Sequence, residues 1–524
     1  MFYIMSNIAN ILFTYMKKSL SLFCIFIGIS LQSYAQNYMK LSPNDSEEEI
    51  VRKAASVKPT TRQLNWQKLE ITGFVHFGIN TFTGKEWGDG RESPQLFNPT
   101  KLDTDQWVRI AKESGIKLLI LTAKHHDGFC LWPTNTTDYS IKSAPYKNGQ
   151  GDILKELAES CKKYDMKIGV YLSPWDRNAK SYGSELYNEM FRNQLKEVLT
   201  NYGKIDEVWF DGANGEGPNG KKQEYDWASY YSVIRELQPE AVIAVMGPDV
   251  RWVGTETGYG RDTEWSVVPT NNLDQNKIAD GSQQQMNIKP AGDMRKKDVG
   301  SRDVIRKAEG LVWYPAETDV SIRPGWFYHE NQNSKVKSPE KLLDIYFNSV
   351  GKNGVLLLNI PPTREGLFHS IDENNLLNWK QLRDSIFETN LLNAKGVKLK
   401  SDKNRIQKKD DGDKIWTAKQ ENHQLVFEYT SKKPFKTNII QLGEYIKWGQ
   451  RVEKFELQIL KDKQWSTVAT GTTVGYKRIV TFPEISTNQV RIIISQSRVQ
   501  PFIDKIGLYH YEGVDRLEGN TEKK

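Results

Sequence analysis

At 524 residues the chain is too long for one ordinary domain. Its 38% hydrophobic and 26% charged content reads as a globular chain, soluble once processed. The net charge of +7 is spread over many lysines without a long basic tract, so no nucleic-acid partner is expected.

The first 35 residues read as a secretory signal. Lys17 and Lys18 form a basic region, and Leu20 to Leu31 is apolar but too short to span a bilayer. Ser33-Tyr34-Ala35 before Gln36 has the small-residue form of a cleavage site. The apolar residues before Met16 are unusual in a signal, so Met16 is an alternative start. No Leu-x-x-Cys follows the apolar stretch, which disfavours a lipoprotein. A periplasmic or secreted location follows, with no stable membrane insertion after cleavage. Cys130 and Cys161 then remain, too few for a disulfide framework.

From Thr72 to Pro362 short apolar runs alternate with helical patterns. The strands expected are Gly73–Ile79, Lys117–Thr122, Lys167–Leu172, Glu207–Phe210, Ala241–Met246, a weak one near Gly254, Gly310–Trp313 and Gly354–Ile360. Helices are expected over Asp105–Ser114, Asp152–Tyr164, Ser184–Tyr202 and Trp227–Leu237. About eight nearly continuous apolar strands in roughly 300 residues predict an α/β fold, a (β/α)8-like barrel. An open doubly wound sheet is the alternative, disfavoured because no Gly-x-Gly-x-x-Gly follows the first strand. Ser266–Arg302 is polar and aperiodic, and reads as a long loop over the barrel mouth.

After Asn390 the character changes. Lys395–Lys414 reads as a linker or first edge. Short alternating strands follow over Gln424–Tyr429, Thr437–Leu442, Val452–Leu460, Trp465–Thr470, Lys477–Phe482 and Val490–Ser495, the pattern of a C-terminal antiparallel β-sandwich. The expected division is a signal over 1–35, a catalytic barrel over 36–390 and a β-sandwich over 391–524.

Four segments fall at predicted strand ends and would converge on one barrel face. They are Val75-His76-Phe77-Gly78, Lys124-His125-His126-Asp127-Gly128-Phe129, Tyr171-Leu172-Ser173-Pro174-Trp175-Asp176 and Glu207-Val208-Trp209-Phe210-Asp211-Gly212-Ala213-Asn214-Gly215. In the last, an apolar run ends on Asp211 and glycines allow a sharp turn. Asp211 would stand at the carboxyl end of a strand, facing a pocket; its competing role is a helix cap. Adjacent histidines on a strand point to opposite faces, so His125 and His126 make awkward metal ligands, and zinc is not expected. Hydrogen bonds from three imidazoles to sugar hydroxyls fit better, with one of the pair as a core histidine left open. Fifteen Trp and 23 Tyr suit the flat, amphipathic faces of sugars.

These residues resemble family twenty-nine of the glycoside hydrolases, the α-L-fucosidases. The likeness runs through His76-Phe77-Gly78, Asn98-Pro99, Ala123 to Pro133, Trp209-Phe210-Asp211-Gly212 and Asn359-Ile360-Pro361-Pro362, nearly the whole barrel half. It implies a barrel followed by a β-sandwich, and retaining hydrolysis of α-L-fucosides with no metal or cofactor. Fucosylated oligosaccharides or glycoconjugates are then the partners.

By this resemblance Asp211 is the nucleophile, forming a covalent fucosyl-enzyme, with His and Trp N–H donors keeping it ionised. Glu256 is the acid/base chosen; Glu264, Glu309 and Glu317 are its competitors. The choice expects Glu256 to be desolvated, which would raise its pKa. Trp252 to Trp265, Glu86-Trp87-Gly88-Asp89-Gly90 and Trp313 to Glu317 resemble the subfamily acting on α-1,3/1,4-linked branches. Substrate contacts are expected from His76, His125, His126, Glu86, Trp87 and Trp209, with Tyr171, Trp313 and Trp326 stacking on fucose and Arg323 orienting a carboxylate or hydroxyl. The alternatives are a broad-specificity fucosidase and a catalytically silent glycan-binding protein. The sandwich either braces the barrel or binds carbohydrate through Trp448, Tyr445 and Trp465.

Overall fold

Eight parallel strands follow one another around an axis. They are β1 (Ile71–Val75), β2 (Leu118–Lys124), β3 (Lys167–Leu172), β4 (Glu207–Phe210), β5 (Val242–Val245), β6 (Arg251–Trp252), β7 (Ala316–Ser321) and β8 (Val355–Asn359). The sheet runs β5-β4-β3-β2-β1-β8-β7-β6. The remaining seam is bridged where Ala244 pairs with Val250 and Val245 N donates to Val250 O at 3.0 Å. This computed structural model describes residues 37–270, 297–400, 404–408, 414–418 and 424–517. The expected signal segment lies outside the described residues, as does most of the stretch within Ser266–Arg302.

Helices α1 (Thr104–Glu113), α2 (Ile153–Lys163), α3 (Glu185–Thr200), α4 (Trp227–Leu237), α5 (Pro339–Asn348) and α6 (Ser370–Phe387) pack around the strands. Asp103, Asp152 and Asp226 start α1, α2 and α4 by accepting a backbone N–H from the first turn. Two units depart from the regular repeat. A turn alone joins β5 to β6, and between β6 and β7 the described residues make an excursion through a separate sheet and one short helical turn, Arg302–Ile305. Among the described residues no helix is long and apolar enough to cross a membrane.

That excursion corrects one expectation. Gly310–Trp313 is not a barrel strand. It pairs antiparallel with Tyr38–Lys40 and Val267–Thr270 in a separate three-stranded sheet. The barrel strand is Ala316–Ser321, whose sequence is mostly polar. Its register with Trp252 and with Leu357 and Asn359 puts Glu317, Asp319 and Ser321 on one face, towards the barrel interior. A search for apolar runs passes over such a strand.

The C-terminal quarter is an antiparallel β-sandwich around its own core of Phe427, Leu442, Phe455, Ile492 and Leu508. Four of the short strands expected here are two long ones, Leu425–Glu444 and Arg478–Ser497. Register shifts between Thr430 and Phe435 and between Thr437 and Ile439 bend the pair, so each strand serves both layers without a turn. The stretch expected as a linker or edge includes edge strands, Val397–Lys400 and Asn404–Lys408.

The sandwich locks onto the barrel through its Gly475–Ile479 segment. Tyr476 N donates to Asn353 Oδ1 at 2.8 Å, and Ile479 N donates to Gly351 O at 2.8 Å, just ahead of β8. Gly475 has φ +64°, and a Cβ there would stand 2.2 Å from the Asn353 side chain, so only glycine fits. Beside it Lys477 Nζ reaches Glu70 Oε2 at 2.7 Å and Tyr346 Oη at 3.1 Å. Lys477→Ala would strand the Glu70 carboxylate in this mostly buried seam. A loss of roughly 3 kcal/mol is expected by chemical denaturation, against well under 1 kcal/mol for an exposed lysine such as Lys101.

Candidate active site

At the carboxyl ends of the strands, β1 delivers His76, β2 His125 and His126, β3 Tyr171, β4 Asp211, and β8 Asn359. Asp211 follows the last residue of β4, and a quarter of its side chain is exposed. Tyr171 Oη donates to its Oδ2 at 3.1 Å and Ala213 N to its Oδ1 at 2.7 Å. His126 Nε2 stands 3.8 Å from Oδ2. The carboxylate is thus aimed by a phenol and a backbone amide. The tryptophan donor expected for it is spent elsewhere. Gly215 is needed for room, not for an unusual φ: a Cβ there would lie 2.2 Å from the Trp175 ring.

His125 and His126 lie just beyond the end of β2, so strand alternation does not separate them. Their rings sit 4.2 Å apart. Gly128 closes the turn with φ +91°, and a Cβ there would stand 2.4 Å from Asp176 Oδ1. Lys124 points away into the wall, held by Asp176 at 3.2 Å and Gln194 at 2.9 Å. Asp127 is structural as well, accepting from Phe129 N and Asn80 Nδ2, and burial pushes its pKa up to about 7.

All three imidazoles are neutral at neutral pH. Burial pulls His76 down to about 3 and His125 well below the usual histidine range. His126 is lowered mainly by burial, with Asp211 opposing. The tautomers follow from their partners. Asn359 Nδ2 donates to Ser321 Oγ and Trp326 O, so its Oδ1 accepts from His76 Nδ1 at 2.9 Å. Ser173 Oγ donates to Trp175 O, so it accepts from His126 Nδ1 at 2.8 Å. Nε2 of His76 and of His126 therefore each carry a lone pair, the arrangement that accepts a sugar hydroxyl.

Aromatic rings surround this group. Trp326 tilts over His76 at 5.1 Å, and Phe327 stands edge-on to both His76 and His125. Trp209 and Tyr171 stack at 5.1 Å, with Phe74 edge-on to Trp209. Trp87 is 55% exposed and meets His126 and Trp175 edge-on. Glu86 anchors the neighbouring loop: it pairs with His329 at 2.7 Å and accepts from Trp326 N at 2.8 Å. Its carboxylate so fixes the backbone that carries Trp326.

Two expectations are corrected. Trp313 is fully buried in the three-stranded sheet, packed in a cluster with Leu41, Val267 and Ile446, and its indole donates to Gln67. It is not at this site. Arg323 does orient a carboxylate, but that of Asp372 on α6.

The candidate acids separate by environment. Glu264 is clamped between Arg251 and Arg261, and Glu309 is exposed in the run leading into Gly310–Trp313. Glu317 lies deep in the barrel, accepting from Trp209 Nε1 at 2.7 Å. Glu256 alone of the four stands on a loop directly beyond a barrel strand, Gly254–Gly258 after β6. Both ends of that stretch are held on β7, by Val253 N to Glu317 O at 2.9 Å and Gly258 N to Asp319 O at 3.0 Å. Glu256 is exposed, so the expected desolvation is absent from this structure. Sequence reasoning missed Asn359, Ser173, Trp175 and Phe327 as members of the site, although each adjoins or lies within a motif already singled out.

A carboxylate beside neutral imidazoles, walled by aromatic rings at the carboxyl end of a barrel, is the equipment of a carbohydrate-cleaving enzyme. Residues 29–381 match the family described as Alpha-L-fucosidase. Alpha-L-fucosidase 1 of Arabidopsis thaliana is 39% identical over 97% of this chain and 96% of its own length. Among solved structures, a putative alpha-L-fucosidase from Bacteroides ovatus is 50% identical with a TM-score of 0.80, covering 91% of this chain and 78% of that one. A Ruminococcus gnavus fucosidase solved in complex with fucose is 28% identical with a TM-score of 0.74, over 91% and 99%. The chain belongs to the alpha-L-fucosidase family of glycoside hydrolases.

Tyr171→Phe removes the side-chain donor that Asp211 has among the described residues and leaves the ring stack in place. A hydrogen bond to a charged group contributes about 1.5–3 kcal/mol, so kcat/KM on an aryl α-L-fucoside is expected to fall roughly 10- to 100-fold with little change in Tm.

Proposed function

We propose that this α-L-fucosidase is an exported, retaining exo-enzyme that releases fucose from α-1,3/1,4-linked branches. The carrying observation is Asp211: a partly open carboxylate aimed by Tyr171 and Ala213 N towards a cup of neutral imidazoles. In this reading Asp211 Oδ attacks the anomeric carbon of fucose, the glycosidic oxygen leaves with the proton of Glu256, and a fucosyl ester forms. Glu256 then takes a proton from water, which attacks the same carbon and frees Asp211. The Nε2 lone pairs of His76 and His126 accept fucose hydroxyls, while Trp326 offers a ring to the apolar face and methyl group. The exposed Glu256 stands on a glycine-flanked loop where bound substrate would cover it.

The branched-linkage reading is supported by Trp87. A tryptophan that is half exposed yet held at its edge by two pocket rings is a platform for a sugar beyond fucose. Export is supported by the basic, apolar and small-residue order of the first 35 residues, and N-terminal sequencing of the secreted protein tests it.

Asp211→Ala is expected to lower turnover by at least about 10³-fold without unfolding, and azide is expected to restore release of the aryl group. Glu256→Ala should slow poor leaving groups far more than good ones, because only the former need protonation. Near-normal activity in Asp211→Ala would end this reading. Side-by-side assays on a Lewis-type trisaccharide, an α-1,2-fucosylated lactose and an aryl fucoside decide linkage. Preference for the Lewis sugar supports the branch reading; preference for either other substrate replaces it with broad specificity. Binding without turnover of any of them leaves a silent glycan-binding protein.

A further inference from the structure

Beneath the nucleophile the barrel holds a pair of acids that the reaction above does not use. Glu207 on β4 and Glu317 on β7 bear on each other across the interior, and each keeps one buried oxygen, Glu207 Oε1 and Glu317 Oε2, without a donor from any other described group. Both are buried. Two carboxyl groups hydrogen-bond only when one proton lies between them. The outer oxygens of the pair are capped by two indoles: Trp66 Nε1 donates to Glu207 Oε2 at 3.0 Å and Trp209 Nε1 to Glu317 Oε1 at 2.7 Å. Asp206 bears on Glu207, and Asp319 feels both Glu317 and Glu256.

The second indole links this pair to the site. Trp209 stacks on Tyr171 with ring centres 5.1 Å apart and planes 22° from parallel, and Tyr171 Oη holds Asp211. A tryptophan in this place has one polar atom, and Glu317 is its acceptor. Without that anchor the indole keeps its packing against Phe74 and Tyr171 but loses the polar contact that fixes its tilt, and the stacked phenol shifts with it.

We propose that Glu317, paired with Glu207 through a shared proton, is a positioning residue for the nucleophile, acting through Trp209 and Tyr171 on Asp211. The inference rests on Asp211 being the nucleophile. Losing the shared proton sets two anions against each other inside the barrel, so the positioning fails as pH rises. Burial pushes the Glu207 carboxyl up from 4.5 to about 8, and Glu317 well above the usual range. The pair's contribution is therefore complete below about pH 4.5, survives loss of the first proton, and is lost only on the alkaline side as the second leaves.

The test is the pH profile of kcat/KM for Glu317→Gln and Glu317→Ala on an aryl α-L-fucoside with a good leaving group, a step that needs no proton from Glu256. Glu317→Ala is expected to lower kcat/KM roughly 10- to 100-fold, mainly through kcat. Glutamine keeps an acceptor for Trp209 and a donor for Glu207 without an ionisable proton. It should recover most of that loss at pH 6 and move the alkaline limb up by about one pH unit or more. An alkaline limb identical to that of the unsubstituted enzyme in Glu317→Gln overturns the proposal, as does equal activity of the two variants. If the alanine variant does not fold, the limb of the glutamine variant decides alone. Asp211→Ala with azide is run on the same substrate. Azide rescue together with an unmoved Glu317→Gln limb sinks only this inference, whereas activity in Asp211→Ala sinks the nucleophile assignment.

Discussion

Every polar group aimed into a barrel of eight strands must find its partner inside the barrel, because little water reaches it. This constraint shapes the site. The inward face of β4 carries Glu207, Trp209 and Asp211 in alternation, and β7 answers with Glu317, Asp319 and Ser321. Each has a stated partner: Trp66 for Glu207, Trp209 for Glu317, Trp252 for Asp319 and Asn359 for Ser321. Indole N–H groups serve as the interior donors since they bring apolar volume along with one hydrogen bond. The column fills the barrel and ends in a single carboxylate with open space above it.

The same reasoning accounts for the histidines. Burial alone would make three nearby imidazoles costly if charged, and each is held neutral. Asn359 and Ser173 then choose the tautomer, because their own hydrogen bonds leave them one role towards the ring. A cup of neutral acceptors next to a carboxylate offers lone pairs to the pocket without placing a fixed positive charge there. Burial and tautomer are thus the electrostatic preparation of the site.

The C-terminal sandwich contributes at a distance. It meets the barrel near the start of β8 and at Glu70 just ahead of β1, the ends opposite the pocket. Its hold there is polar and close-fitting, through Lys477, Asn353 and Gly475, which suits a brace for the strands that carry His76 and Asn359. Of the aromatics considered for a carbohydrate contact, Trp448 is engaged edge-on with Tyr445 and Phe502, and Trp465 lies under Arg491. All three of Tyr445, Trp448 and Trp465 are half-buried, with these neighbours on one side and solvent on the other.

Local pattern by itself determined much of this protein. The apolar strands β3 and β4 and helix α4 have the limits their sequence implies, since short apolar runs and capping aspartates are local signals. Asp211 and the histidine pair were legible because strand ends followed by glycine and aspartate mark a barrel mouth. What the chain order hid was decided by tertiary pairing. Ala316–Ser321 is polar because it faces a polar interior, so no hydrophobic period announces it, while the apolar Gly310–Trp313 packs in a separate sheet. Trp313 and Trp209 look alike in sequence, yet one fills a distant core and the other stacks on the tyrosine that holds Asp211. That difference depends on which strands lie side by side, a property of contacts between residues 100 or more positions apart, such as Trp209 and Glu317.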